Sequence, residues 1–201
     1  GWRVRWVRIE RVLGLTCPLC GAPLDRSGIC TRCAASLRPQ RRHNLVYLGG
    51  YREFRKVVRT LKFRGGRALV PPLARALAEG VREAGWDVEA VTAVPTTWWR
   101  VWRRGYNPAE LLGRAIAREL GVPYRRVLGR RYFRSQTRRR ADLRASLPAG
   151  VFFLQRELPV RRWLLVDDVW TTGATFRAVE RALRAGGAEA VWGTVIAARG
   201  S

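Results

Sequence analysis

The chain has no methionine in 201 residues, only two lysines, Lys56 and Lys62, and a single histidine, His43. No stretch approaches the ~18 uncharged apolar residues that a membrane-spanning helix requires. The opening Gly1-Trp2-Arg3-Val4-Arg5-Trp6 lacks the apolar core of a secretory signal. Those two absences predict a soluble, cytoplasmic protein, and the missing methionine at position 1 predicts a trimmed or replaced N-terminus. There is no internal repeat and no long low-complexity linker. Acidic residues are scarce as well, 15 against 39 basic ones, for a formal charge of +24. What remains is ample for a folded domain. Apolar residues make up 47% of the chain and nine residues are tryptophan, which excludes wholesale disorder. The length suits one medium domain, or one of about 150 residues with a small appendage.

With so few lysines, the charge rests on arginine, whose planar fork grips phosphate oxygens in pairs and stays charged in any surroundings. An excess this large points to a polyanion or a phosphorylated ligand. Codon bias in a GC-rich or thermophilic genome would give the same excess without purpose. Charge alone does not choose between them.

The cysteines are confined to Cys17-Pro18-Leu19-Cys20 and Cys30-Thr31-Arg32-Cys33. Two such turns let four thiolates converge on one Zn²⁺, with Gly21 and Gly28 supplying tight backbone. Disulfides are the competing use, and close pairs in a basic chain without a signal argue against it. Four protein ligands leave no open coordination position, so this zinc is structural. His43 is then spare and reads as a surface residue. Whether the knuckle touches nucleic acid stays open.

Hydrophobic spacing divides the remainder. Residues 1–12 suit a short amphipathic helix, and Asn44 to Tyr51 a strand ending at Gly49-Gly50. Helices follow over 52–63 and 67–84, then a strand over Val88 to Val94. Asn107-Pro108-Ala109-Glu110 is a helix start, with an N-cap, a proline in the first turn and a glutamate three residues on. That helix stops at Gly121. A strand over Val160 to Val166, a helix over Phe176 to Ala185 and a strand over Val191 to Ala197 complete an alternation that predicts a mainly parallel sheet flanked by helices. Residues 130–144 are dense in arginine and poor in apolar positions.

The segment Leu164-Leu165-Val166-Asp167-Asp168-Val169-Trp170-Thr171-Thr172-Gly173-Ala174-Thr175 carries the most chemistry. An apolar strand delivers two carboxylates to its C-terminal edge, where open α/β sheets bind ligands. A hydroxyl-rich loop then opens a helix, whose free N–H groups and positive dipole end favour a phosphate dianion. The G-K-[ST] ending of a Walker loop is missing. An acidic pair for sugar hydroxyls plus a phosphate cradle describes a ribose 5-phosphate site.

This segment resembles the phosphoribosyl-pyrophosphate (PRPP) signature of type I phosphoribosyltransferases. The resemblance implies that Asp167 and Asp168 meet the ribose hydroxyls and that Thr171, Thr172, Gly173, Ala174 and Thr175 hold the 5-phosphate. It also implies Mg²⁺ with PRPP, and a pyrophosphate loop after Val94-Pro95 for which Thr96, Thr97, Arg104 and the more distant Lys62 are candidates. A narrower likeness spans nearly the whole chain. The cysteine knuckle, Leu61-Lys62-Phe63-Arg64-Gly65, Val94-Pro95, Arg104-Gly105-Tyr106-Asn107, Ala109-Glu110-Leu111-Leu112, Gln136-Thr137, Arg144, Phe152 and the PRPP loop occur in one order. That order resembles the ComF/ComFC (GntX-like) late-competence family. The resemblance implies a type I phosphoribosyltransferase-like α/β fold with an N-terminal four-cysteine zinc finger, divided here as residues 1–40 and 41–201. Three positions depart from the family pattern, Ala93, Pro108 and Leu147, and the side chains of Pro108 and Leu147 cannot hydrogen-bond.

Three readings follow. In the first, the chain handles incoming single-stranded DNA during natural transformation. Trp98, Trp99 and Trp102, interleaved with Arg103, could stack exposed bases, while Arg138, Arg139 and Arg140 neutralise backbone phosphates. The same tryptophans could instead pack the fold, and the same arginines could close over pyrophosphate. In the second, the chain is a working Mg²⁺-dependent phosphoribosyltransferase acting on a nitrogenous base or amine. In the third, the fold is a scaffold for a ComFA-like competence helicase or a recombination mediator. The resemblance places such a protein in the cytoplasm, recruited to the inner membrane face at the DNA-uptake machinery.

Overall fold

The computed structural model describes residues 15–96, 105–131, 147–148 and 150–200. Its centre is a five-stranded sheet in the order β1-β2-β8-β6-β3. The strands are β1 (Gln40–Arg42), β2 (Leu45–Tyr47), β3 (Ala90–Ala93), β6 (Arg162–Val166) and β8 (Ala190–Thr194). β2, β8, β6 and β3 run parallel, and only the edge pair β1–β2 is antiparallel. The mainly parallel sheet expected from the alternation is therefore present. Two small ladders flank it: antiparallel β4 (Leu128–Arg130) with β5 (Phe152–Leu154), and parallel β7 (Val169–Trp170) with β9 (Ala197–Ala198).

Because successive strand residues point to opposite faces, each strand feeds two cores. Val46, Val91, Leu164 and Val166 meet α2 (Tyr51–Leu61), α3 (Val70–Ala84) and α4 (Pro108–Leu120) on one side. Leu45, Ala90, Trp163, Leu165 and Val191 meet α5 (Ala174–Ala185) on the other. Each helix offers a single apolar stripe: Phe54, Val57, Val58 and Leu61 in α2, Leu73, Leu77 and Val81 in α3, Phe176, Val179 and Leu183 in α5. Trp163 is fully buried, and its indole N–H donates to the Val160 carbonyl at 2.9 Å.

Two boundaries differ from the sequence pattern for local reasons. The helix expected over 67–84 is a 3₁₀ stretch, Arg64–Leu69, followed by α3, because Pro71 and Pro72 suit only a first turn. Between α2 and that stretch the chain passes so close to itself that a Cβ at Gly66 would fall 2.4 Å from the Thr60 carbonyl oxygen. The last strand stops at Thr194, and Ala197–Ala198 then pairs with β7 instead. The helix expected over 1–12 lies outside the described residues. Short α1 (Thr31–Ser36), which carries Cys33, buries none of its residues. No helix among the described residues is long and apolar enough to cross a membrane.

Candidate functional site

At the knuckle, the four sulfurs of Cys17, Cys20, Cys30 and Cys33 lie within 4.8 Å of one another. A tetrahedron with ~2.3 Å metal–sulfur bonds has edges of about 3.8 Å, and Cys20 Sγ and Cys30 Sγ stand 3.7 Å apart. The Cys30 N–H donates to Cys17 Sγ at 3.5 Å and the Cys33 N–H to Cys30 Sγ at 3.3 Å. Burial pushes the Cys17 thiol up, but the backbone N–H groups of Cys20, Cys30 and Leu19 outweigh it and bring it down to about 7. Burial and hydrogen bonding to the other three cysteines push Cys33 up to about 12. Four sulfurs competing for charge in this spacing could hold a metal ion.

The second constellation sits at the C-terminal edge of the parallel strands. A cleft of about 200 Å³ is lined by Lys62, Thr96, Asn107, Arg130, Asp167, Asp168 and Thr175, among others. β6 delivers the acidic pair. The Asp168 N–H donates to Asp167 Oδ1 and the Val169 N–H to Asp168 Oδ1, both at 2.8 Å, so each carboxylate is aimed by the next amide. Ile196 and Ala197 N–H groups donate to the Asp168 carbonyl and tie this turn to the end of β8. Burial first, then repulsion by Asp168, push the Asp167 carboxyl well above the usual carboxylate range, with the Arg130 charge opposing. Lys62, expected at a distance, instead faces the pair: its Nζ is 3.8 Å from Asp168 Oδ2.

The loop over 171–175 runs from β7 into α5. Gly173 adopts φ +83°, and a Cβ there would sit 2.5 Å from Trp170 Cζ2, so conformation and space both demand glycine. With glycine at the N-cap, no side chain of that residue covers the helix end; Thr172 Oγ1 accepts from the Ala174 N–H at 3.3 Å. Thr171 and Thr172 are exposed and Thr175 half-buried in the cleft wall. Thr96 lines the cleft, whereas Thr97, Trp98, Trp99, Trp102, Arg103, Arg104, Arg138, Arg139 and Arg140 lie outside the described residues.

Two cleft residues do not stand out in the sequence as individuals. Asn107 reads there as an N-cap and as one residue of the Arg104–Asn107 motif, with no role in the cleft. Its Oδ1 does accept from the Ala109 N–H at 3.0 Å, but its Nδ2 also donates to the Val94 carbonyl at 3.2 Å and joins α4 to the end of β3. Arg130 is submerged in an arginine-dense stretch, and the β4–β5 ladder is what brings it to the cleft. Pro108 also lines the cleft, and Leu147 packs against the core on the α5 side of the sheet.

Competence protein F of Haemophilus influenzae is 30% identical over 88% of this chain and 88% of its own length. The chain belongs to the competence protein F family. Other relatives are the DNA utilization protein YhgH of Escherichia coli, 31% identical over 93% of this chain and 84% of its own, and that of Salmonella typhi, 32% identical over 87% and 80%. No protein-family profile matches the chain. Among solved structures, a purine phosphoribosyltransferase from Pyrococcus horikoshii overlaps 63% of this chain and 70% of its own, at 20% identity and a TM-score of 0.40. Both the cysteine cluster and the acidic cleft thus occur in a member of a family whose named relatives concern competence and DNA utilization.

Proposed function

We propose that this competence protein F homologue handles incoming single-stranded DNA in natural transformation, and that its cleft binds a ribose phosphate. The observation that carries the reading is relationship to competence protein F over most of both chains, in a molecule that sets an acidic pair, a lysine and a helix start with glycine at its N-cap around one cleft. In this reading Asp167 and Asp168 hold sugar hydroxyls, residues 171–175 hold a 5-phosphate, and Lys62, Thr96, Thr97 and Arg104 serve a pyrophosphate. Zn²⁺ in the four-cysteine knuckle is structural, and residues 1–40 and 41–201 are its two units. Trp98, Trp99, Trp102, Arg103 and Arg138–Arg140 contact the strand, in the cytoplasm beside the uptake machinery and a competence helicase or recombination mediator.

Two titrations test this. Affinity for single-stranded DNA, followed by fluorescence anisotropy, should fall steeply with salt as arginines release counterions from the strand; absent or salt-insensitive binding removes the DNA role. Calorimetric titration with PRPP and Mg²⁺ should give binding that the double variant Asp167→Asn, Asp168→Asn abolishes. Equal binding by that variant removes the ribose assignment.

A further inference from the structure

A second cavity, of about 230 Å³, shares no lining residue with the ribose-phosphate cleft. Its apolar lining includes Trp170 and Phe176, whose ring centroids lie 5.0 Å apart at a 45° tilt, with Leu45 and Val191. Arg42 and Arg177 give it positive charge, while His43, Asn44 and Glu180 add an imidazole, an amide and a carboxylate. Arg42 is held in place: both terminal nitrogens donate to the Arg199 carbonyl at 3.2 Å, and its guanidinium stands 5.5 Å from the Tyr47 ring centroid. Arg177 Nη1 donates to the Thr172 carbonyl at 3.0 Å.

His43 lines the pocket from the turn between β1 and β2. With φ +52° it is the only non-glycine described residue in the left-handed region. It stands in the two-residue turn between β1 and β2, where glycine would be comfortable. A two-residue hairpin turn calls for positive φ and histidine is among the side chains that adopt it, so the turn itself accounts for this backbone.

An aromatic floor under fixed cations suits a flat ring that arrives with negative charge. At 230 Å³ the cavity is smaller than the ~300–1,000 Å³ that drug-sized ligands occupy, so it suits one ring system. Stacking on aromatic side chains accepts any base, and the arginines can meet the flanking phosphates. We infer that this pocket takes one base of a single-stranded nucleic acid. The inference rests on the DNA-handling reading and adds a place for the strand. The pocket also backs the phosphate loop, since the missing Cβ of Gly173 would fall 2.5 Å from Trp170 Cζ2 and 2.8 Å from Arg177 Nη1. Base and phosphate would therefore be felt by the same two side chains.

His43, the one histidine, gives the pocket a private NMR reporter. Its ring C–H signals are followed in the full-length, metal-loaded chain during addition of oligothymidylate, an abasic strand of equal length, or thymidine monophosphate. Oligothymidylate should produce a saturable shift that the abasic strand does not reproduce. Arg177→Glu should weaken strand binding about tenfold, through the lost phosphate contact and the disturbed wall of the base pocket. Arg181→Glu makes the same charge change at an exposed residue that does not line the pocket, and should cost much less. Equal shifts with the abasic strand, or equal losses in the two variants, overturn the base pocket. So do saturation by the mononucleotide alone and unmoved signals while anisotropy shows the strand bound; these results spare the DNA reading. Failure of the strand to bind at all removes both.

Discussion

Four cysteines bring their sulfurs within 4.8 Å of one another using one short N-terminal segment. The cleft instead gathers Lys62, Asn107, Arg130, Asp168 and Thr175 from positions scattered over most of the chain. The knuckle's helix α1 buries none of its residues, while Trp163, Leu164, Leu165 and Val166 of β6 are all fully buried. Cohesion in the first region therefore comes mostly from local turns and from whatever the sulfurs hold, helped by Leu19 and Ile29, which pack against the sheet core. In the second it comes from the sheet, and the site inherits its geometry from packing elsewhere.

The largest effect that tests this contrast is metal removal. Structural zinc contributes ~10–16 kcal/mol in finger peptides, far more than α1 can gain by burial. Chelation is expected to abolish hydrogen-exchange protection over residues 17–36 and to leave the amides of β6 and β8 protected. Loss of protection in all three segments together would make knuckle and sheet one cooperative unit. The converse perturbation is Trp163→Ala, which should cost about 3–5 kcal/mol by opening a cavity in the core on the α5 side of the sheet. At roughly 2–4 °C per kcal/mol for a chain of this size, the melting temperature should drop by about 10 °C. Bound metal per folded chain should not change; reduced metal content would show that the knuckle leans on the sheet.

This contrast also decides what can be read from sequence. The knuckle is legible because its ligands are neighbours and their spacing is the signal. The loop proposed to hold phosphate is legible for the same reason: Val166 to Thr175 is contiguous, and strand, acidic pair, glycine and helix start appear in order. Helical stripes such as Phe54, Val57, Val58 and Leu61 are visible as periodicity. Arg130 is not, because an arginine among many has no local mark, and only pairing of Leu128–Arg130 with Phe152–Leu154 brings it to the cleft. β1 escapes for a related reason: Gln40–Arg42 has no apolar alternation, being an edge strand that owes its place to Leu45–Tyr47. Lys62 looks distant along the chain yet reaches the cleft, because the tight turn permitted by Gly66, not sequence separation, sets its position.

A smaller effect sharpens the electrostatics of the cleft. Burial and then the Asp168 charge raise the Asp167 pKa above its ordinary value near 3.8, so the folded chain retains a proton that the unfolded chain releases. Stability is thus expected to decline as pH rises from about 4 toward the raised pKa, by ~1.4 kcal/mol per pH unit across that window. Asp167→Asn removes that penalty. The variant should melt several degrees higher than the parent at neutral pH and nearly level with it below pH 4. A variant no more stable at neutral pH would mean that Arg130 already compensates the carboxylate.

The smallest effect concerns how the sheet domain positions Lys62. Tyr106 is buried, and the single proton of its hydroxyl is shared between the Leu61 carbonyl, at 2.9 Å, and the Phe63 carbonyl, so one phenol bridges both flanks of Lys62. Arg67 lies over the Tyr106 ring, 4.9 Å from its centroid, and holds it from the 3₁₀ stretch. Tyr106→Phe keeps the ring and its packing but removes the one donor that the two carbonyls share, at about 1 kcal/mol. Melting should fall by only ~2–4 °C. If Lys62 is a positioned phosphate ligand, affinity for PRPP should nevertheless drop several-fold, and Lys62→Ala in the Tyr106→Phe background should add less than it does alone. Full additivity of the two substitutions, measured calorimetrically, would mean that Lys62 finds the ligand by its own flexibility and that the turn merely carries it.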